Sequence, residues 1–318
     1  MLDIAILAAG FICLILGADK LVDASSSLAA RLGIPNIVIG LTIVAFGTSA
    51  PELVVNLFAA VENNTEMVLG NVLGSNIFNV LAILGISSLI YPLTVKTNTT
   101  WLEIPLSLLA AVAVLVTAGD VYLDSSEAGY ISRAEGLLLL LFFAIFLVYN
   151  LKIAQGNPTD EGTDTKDYTY LQAALYIGLG LAGLVLGGRL IVTSAVGIAQ
   201  AFGLSERVIG LTVVSIGTSL PELATSVVAV RKRKVDIAIG NVVGSNIFNI
   251  FLILGVSTVV TPLQVNSGSF VDIVVNIAAS LLLFAFVFTG KGRQLARWEG
   301  AVLLALYLTY LALLITQG

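Results

Sequence analysis

Apolar residues come in runs of about twenty separated by short polar breaks, the first starting near residue 3 and the last ending near 316. A helix crosses the hydrocarbon core of a bilayer with about 20 residues. The pattern therefore predicts ten transmembrane helices, over 3–24, 35–61, 66–90, 102–119, 131–151, 169–199, 205–230, 235–260, 270–289 and 298–316. The first run has neither a basic leader nor a small-residue cleavage site, so it reads as a retained helix rather than a signal peptide.

The pattern repeats in detail. Gly40-Leu-Thr-Ile-Val-Ala-Phe-Gly-Thr-Ser-Ala-Pro-Glu-Leu53 returns as Gly210-Leu-Thr-Val-Val-Ser-Ile-Gly-Thr-Ser-Leu-Pro-Glu-Leu223. Gly70-Asn-Val-Leu-Gly-Ser-Asn-Ile-Phe-Asn-Val80 returns as Gly240-Asn-Val-Val-Gly-Ser-Asn-Ile-Phe-Asn-Ile250, both at an offset of 170. Weaker matches in the same register run from Gly17 with Gly187 to Pro92-Leu93 with Pro262-Leu263. Five spans precede a polar stretch and five follow it, so the second copy crosses the membrane in the opposite sense. The expected fold is an all-α integral membrane protein of ten transmembrane helices in two inverted five-helix repeats, 1–151 and 169–318, joined by a short cytoplasmic linker at 152–168.

Composition agrees with that class. At 58% hydrophobic and 11% charged residues, with mean hydropathy +1.01, the chain has too little polar surface to cover a soluble globule. One cysteine, Cys13, and no histidine exclude an intramolecular disulfide and argue against zinc or haem. Counting basic residues by the positive-inside rule puts both termini outside. Lys20, Arg31, Lys96, Lys152, Lys166, the run Arg231-Lys232-Arg233-Lys234, Lys291, Arg293 and Arg297 then face inward, leaving only Arg133, Arg189 and Arg207 elsewhere. The basic run reads as a topology anchor.

Inside the membrane, polarity concentrates in the two motifs. A carboxylate at this depth costs several kcal/mol unless paired, hydrated or protonated, and Glu52 and Glu222 sit mid-span with no basic residue at that level. Thr48 with Glu52, and Thr218 with Glu222, are four apart and share a face where helical geometry holds. Pro51 and Pro221, with Gly47 and Gly217, loosen the turn and make the carbonyls of Ala45 and Ser215 candidates for release from helical pairing. Ser75 with Asn79, and Ser245 with Asn249, form the opposing wall, while Gly74 and Gly244 permit close helix approach. Hydroxyl, amide, carbonyl and carboxylate oxygens without nitrogen or sulfur suit hard cations, with sodium, calcium, magnesium and manganese all open.

With these motifs in both halves, the chain resembles the calcium/cation antiporter superfamily and, within it, the sodium/calcium exchangers, over nearly its whole length. The resemblance implies an ion-binding core made by the second, third, seventh and eighth helices. It implies Glu52 and Glu222 as central carboxylates, Thr48, Ser49, Thr218, Ser219, Ser75 and Ser245 as hydroxyl ligands, and Ala45 and Ser215 as carbonyl donors. The first and sixth helices would slide across this core. Relatives often carry Asp at one of the two positions where this chain has Asn79 and Asn249, and Asp in the second repeat is associated with potassium dependence, so the resemblance implies potassium-independent exchange. Its partners are then sodium and calcium ions and the lipid bilayer of the cell membrane, with no nucleic acid and no cofactor.

Two glutamates would be neutralised by one calcium ion or screened by several sodium ions, so the loads compete. A proton/calcium antiporter using the same glutamates is the nearest alternative, although protons would not need the hydroxyl and carbonyl ligands. An intramembrane hydrolase would need a base that no histidine or mid-membrane lysine supplies. Saturable dependence on a counter-ion would exclude a passive channel.

Overall fold

The computed structural model describes residues 2–119, 129–155, 166–201, 215–289 and 292–317. Helix α1 spans Leu2–Leu32, and α2 is broken into Asn36–Thr48 and Ala50–Val61 with a 47° bend between them. Then follow α3 (Thr65–Ile90), α4 (Thr99–Thr117), α5 (Arg133–Ala154) and α6 (Tyr170–Ala201). Helix α7 is described from Ser215, as Ser215–Thr218 and Leu220–Arg231, and α8 (Val235–Val260), α9 (Ser267–Thr289) and α10 (Arg297–Gln317) complete the set. The start of the predicted 205–230 span, Arg207, the Gly210–Val214 part of the motif and most of the linker lie outside the described residues. Among the described residues, eight single helices and the bent α2 pair are long and apolar enough to cross a membrane.

Helix α1 runs past its predicted end at residue 24. Ser25, Ser26 and Ser27 are polar by composition yet buried, so packing against protein rather than lipid carries the helix on to Leu32. Helices α8 and α3 form the centre, 94% and 78% buried along their most apolar windows, against 17% for α5 and 22% for α10. Their many polar residues therefore face protein, the only place a bilayer tolerates them.

The halves correspond residue by residue. Asn63 and Arg233, one register apart, both adopt positive φ at 57° and 58°. Both central helices widen into a π-helical stretch at the same motif position, Phe78–Ile83 and Phe248–Leu254. Two small antiparallel ribbons braid the repeats. Strand β1 (Leu93–Thr94) pairs with β4 (Gln294–Leu295), and β2 (Gly129–Ile131) with β3 (Leu263–Val265), so each half contributes a strand to both ribbons.

Outside this centre, α1 and α6 pack backbone to backbone on glycines. A Cβ at Gly17 would lie 2.8 Å from the Gly180 carbonyl oxygen, and one at Gly187 would lie 2.7 Å from that of Gly10. The two contacts exchange under the repeat register.

Candidate ion-binding site

The break in α2 is chemistry imposed by sequence. Pro51 has no N–H to continue the helix, and Ser49, at φ −84° and ψ 4°, interrupts it. A new helix starts at Ala50, with Glu52 in its first turn. Helix α7 repeats this, with Ser219 at φ −91° and ψ 7°, Pro221, and Glu222 in the first turn of Leu220–Arg231. Each glutamate thus lies at the N-terminal end of a helix, the positive end of its dipole.

Ser49 and Ser219 occupy N-cap positions but make no cap hydrogen bond. Their hydroxyls reach across the repeats. Ser49 Oγ donates to Glu222 Oε1 at 2.9 Å, Ser219 Oγ lies 3.1 Å from Glu52 Oε1, and Ser245 Oγ approaches Glu222 Oε1 at 3.5 Å. A 3.0 Å contact also links Ser219 to Ser75. Glu52 and Glu222 are each 1% exposed, and no lysine or arginine pairs with either among the described residues.

One oxygen of each glutamate, Oε2, receives no hydrogen bond, and neither do Asn79 Oδ1 and Asn249 Oδ1. These four buried atoms are acceptors only, and they form two pairs under the repeat register. A buried acceptor without a donor costs about 1–3 kcal/mol, more when charged. Buried oxygen acceptors with no basic partner are the kind of group that a hard cation satisfies. The amide nitrogens of Asn79 and Asn249 are occupied, donating to Asn246 Oδ1 and Asn76 Oδ1 at 2.9 Å each.

Three expectations need correction. Thr48 serves the other repeat rather than its own helix's Glu52: its hydroxyl lies 3.0 Å from Asn241 Oδ1 and also interacts with the Glu222 carboxylate. Thr218 correspondingly accepts from Asn71 Nδ2 at 3.4 Å. The Ala45 carbonyl is not released, since the Ser49 N–H bonds it at 3.0 Å and the Thr48 hydroxyl at 3.3 Å. The proline removes the donor for a carbonyl two residues further on, leaving that of Ala45 its own partner. In the second repeat the Ser219 N–H bonds Ile216 at 3.2 Å instead, so the turn near Ser215 is wound differently.

The frame around the site was not assigned from sequence. Asn56 Nδ2 donates to the Glu52 carbonyl at 2.7 Å and to Asn71 Oδ1 at 2.8 Å. Its counterpart arrangement is Asn241 Nδ2 donating to the Glu222 carbonyl at 3.2 Å and to Ser226 at 3.0 Å. Asn76 and Asn246 bond each other's backbone carbonyls at 3.2 and 3.4 Å, clamping α3 to α8. Duplication of Asn71, Asn76, Asn241 and Asn246 within the two motifs was the available signal. Gly244 serves as expected, since its Cβ would fall 2.9 Å from the Leu41 carbonyl oxygen, but Gly74 does not, since a Cβ there would meet nothing within 4 Å.

A cavity of about 320 Å³ reaches this site from one face, lined by Pro51, Val54, Val55, Arg189, Thr218 and Pro221 among others. Its counterpart on the opposite face is filled. Ala18, Val22, Ala224 and Thr225 are buried there, whereas Val54, the equivalent of Ala224, is 45% exposed. The arrangement can hold a desolvated cation, and among the described residues the cavity approaches it from one face.

The family model described as "Sodium/calcium exchanger protein" matches residues 2–152 and 172–316. Inner membrane protein YrbG of Escherichia coli is 37% identical, covering 99% of this chain and 97% of its own. Sodium/calcium exchanger MaX1 of Methanosarcina acetivorans is 35% identical, with 97% of each chain covered. Among solved structures, the sodium-calcium exchanger NCX_Mj, soaked with 10 mM Na+ and zero Ca2+, superposes with a TM-score of 0.84 at 32% identity over 98% of both chains. With its duplicated carboxylate core and ten-helix inverted repeat, the chain belongs to the sodium/calcium exchanger family, a family of membrane transporters rather than enzymes.

Proposed function

We propose that this protein exchanges sodium for calcium across a cell membrane by alternating access, and that both ions use the oxygens around Glu52 and Glu222. The observation that carries this reading is the set of four buried acceptor atoms without donors, Glu52 Oε2, Glu222 Oε2, Asn79 Oδ1 and Asn249 Oδ1. Ser49, Ser219, Ser75, Ser245, Thr48 and Thr218 supply further oxygens. The Ser215 carbonyl, passed over by the Ser219 N–H in favour of Ile216, joins them. Relatives named as sodium/calcium exchangers, and NCX_Mj soaked with sodium, calcium or strontium, support the choice of ions.

One calcium ion balances two carboxylates, and sodium ions occupying the same oxygens exclude it. Three sodium ions per calcium would move one net charge per cycle, worth about 2.3 kcal/mol per 100 mV. With asparagine at 79 and 249, no third carboxylate calls for potassium. On this reading the basic run 231–234 lies at the cytoplasmic end of the bundle, with both termini outside, as the positive-inside rule favours.

In proteoliposomes at clamped pH, an outward sodium gradient is expected to drive calcium uptake, faster at an inside-positive potential and unchanged when potassium is replaced by an impermeant cation. Uptake under a proton gradient and none under sodium would replace this reading with proton/calcium exchange.

A further inference from the structure

On the face carrying the 166–170 segment, Lys232 fastens the core to α1. Its ammonium lies 2.6 Å from Asp19 Oδ1 and 2.7 Å from Asp23 Oδ1, and it donates to the Asp19 carbonyl at 3.1 Å. Lys166 adds a 2.7 Å pair to Asp23, and Arg31 pairs with Asp167 at 2.5 Å. Lys232 caps the end of α7, so this is a charged bridge from the core to the helix pair that packs outside it.

The repeat register gives Asp19, Asp23 and Lys232 counterparts on the opposite face. Asp19 corresponds to Arg189 on α6, and Lys232 to Glu62 at the end of α2. The signs are reversed but remain complementary. Among the described residues no ion pair joins Arg189 to Glu62, and Arg189 lines the open cavity instead.

Contacts within the core behave differently. Lys96 pairs with Asp236 at 2.8 Å, and their counterparts Asn266 and Glu66 are hydrogen-bonded as well. Core contacts are thus made on both faces at once, whereas the bridge to the outer helices is made on the closed face alone. Inverted repeats exchange conformations as access alternates, so closing the cavity would carry α6 towards the end of α2 as α1 now lies towards the end of α7.

We infer that Asp19–Lys232 and Arg189–Glu62 are alternating latches, each formed only when its own face is closed, and that they position the outer helices in the two end states of the exchange cycle. The inference rests on the exchange reading only for its alternation of access, not for the identity of the ions. The two latches are unequal. Asp23, the second partner of Lys232, is replaced by Thr193 on the other face, so the latch formed in this structure is the stronger and the resting equilibrium favours a closed Lys232 face.

The test uses the full-length protein with Cys13→Ser and one reporter cysteine, Val54→Cys in the cavity or Ala224→Cys at its filled counterpart, labelled by a membrane-impermeant thiol reagent from each side. Glu62→Gln or Arg189→Gln should raise Val54→Cys labelling, and Lys232→Gln should lower it while raising that of Ala224→Cys. Each change should be about two- to fivefold, as for a partly exposed ion pair. The exchanged pair Arg189→Glu with Glu62→Lys should restore the parent rates, which a general loss of folding would not do. Unchanged labelling in the single variants, or no rescue in the exchanged pair, would overturn the latch. Labelling needs no assumption about the transported ions, so latch behaviour without sodium-driven calcium uptake would refute the exchange reading and leave the latch standing.

Discussion

Glu52→Gln or Glu222→Gln is expected to lower sodium-driven calcium uptake into proteoliposomes by about a hundredfold or more. Removing one charge from a buried, mutually dependent set costs about 3–5 kcal/mol, and each 1.4 kcal/mol is about a tenfold change in affinity. Glutamine keeps the shape and one carbonyl oxygen, so lost charge rather than lost packing is what the flux reports. Stability should move the other way. Without cations, each substitution removes a buried carboxylate whose Oε2 has no donor, so the variant should melt no lower than the parent. Calcium should raise the melting temperature of the parent, because a ligand that binds only the folded state stabilises it, and should leave that of the variants unmoved. A variant that melts early in the absence of ions would reassign the glutamates to the frame of the fold.

The second large effect is mechanical. Gly187→Ala adds a single methyl group, yet it would lie 2.6 Å from the Leu14 amide nitrogen and 2.7 Å from the Gly10 carbonyl oxygen, neither of which can turn aside as a side chain does. Helices α1 and α6 must separate, at about 1–3 kcal/mol for an overpacked contact, and the pair that moves against the core loses its alignment. Gly178→Ala, on the same helix, meets nothing within 4 Å and is the control. Thermal unfolding in detergent and calcium flux should both fall for Gly187→Ala and hold for Gly178→Ala. Equal behaviour of the two would mean that the glycine contact carries no strain.

Hydrophobic periodicity and one sequence repeat made most of this fold legible, because a bilayer leaves few ways to bury a backbone and duplication supplies its own alignment. Glu52 and Glu222 were legible for a related reason: carboxylates are too costly at that depth to be incidental. The inner geometry was not. Spacing of four placed Thr48 beside Glu52, and a hydroxyl that serves Asn241 and Glu222 of the other repeat cannot be found by counting residues. Nor could the Ala45 carbonyl be judged, since whether a carbonyl keeps its partner depends on how far the turn unwinds. Asn76 and Asn246 were visible as repeated residues, but their reciprocal bonds appear only when α3 and α8 are set side by side. Arg189 stood out in the sequence only as a basic residue away from the inward side, and its correspondence with Asp19 gained meaning only once Lys232 was seen to bind the latter.

The central claim is that one pocket takes either calcium or sodium. Equilibrium binding of radioactive calcium to the purified protein, with sodium as competitor, tests it most directly. Calcium should bind the parent, sodium should displace it completely with a Hill slope above one, and the double variant Glu52→Gln with Glu222→Gln should bind no calcium. Calcium that remains bound at saturating sodium, or binding that survives in the double variant, would contradict a shared site built on these two glutamates.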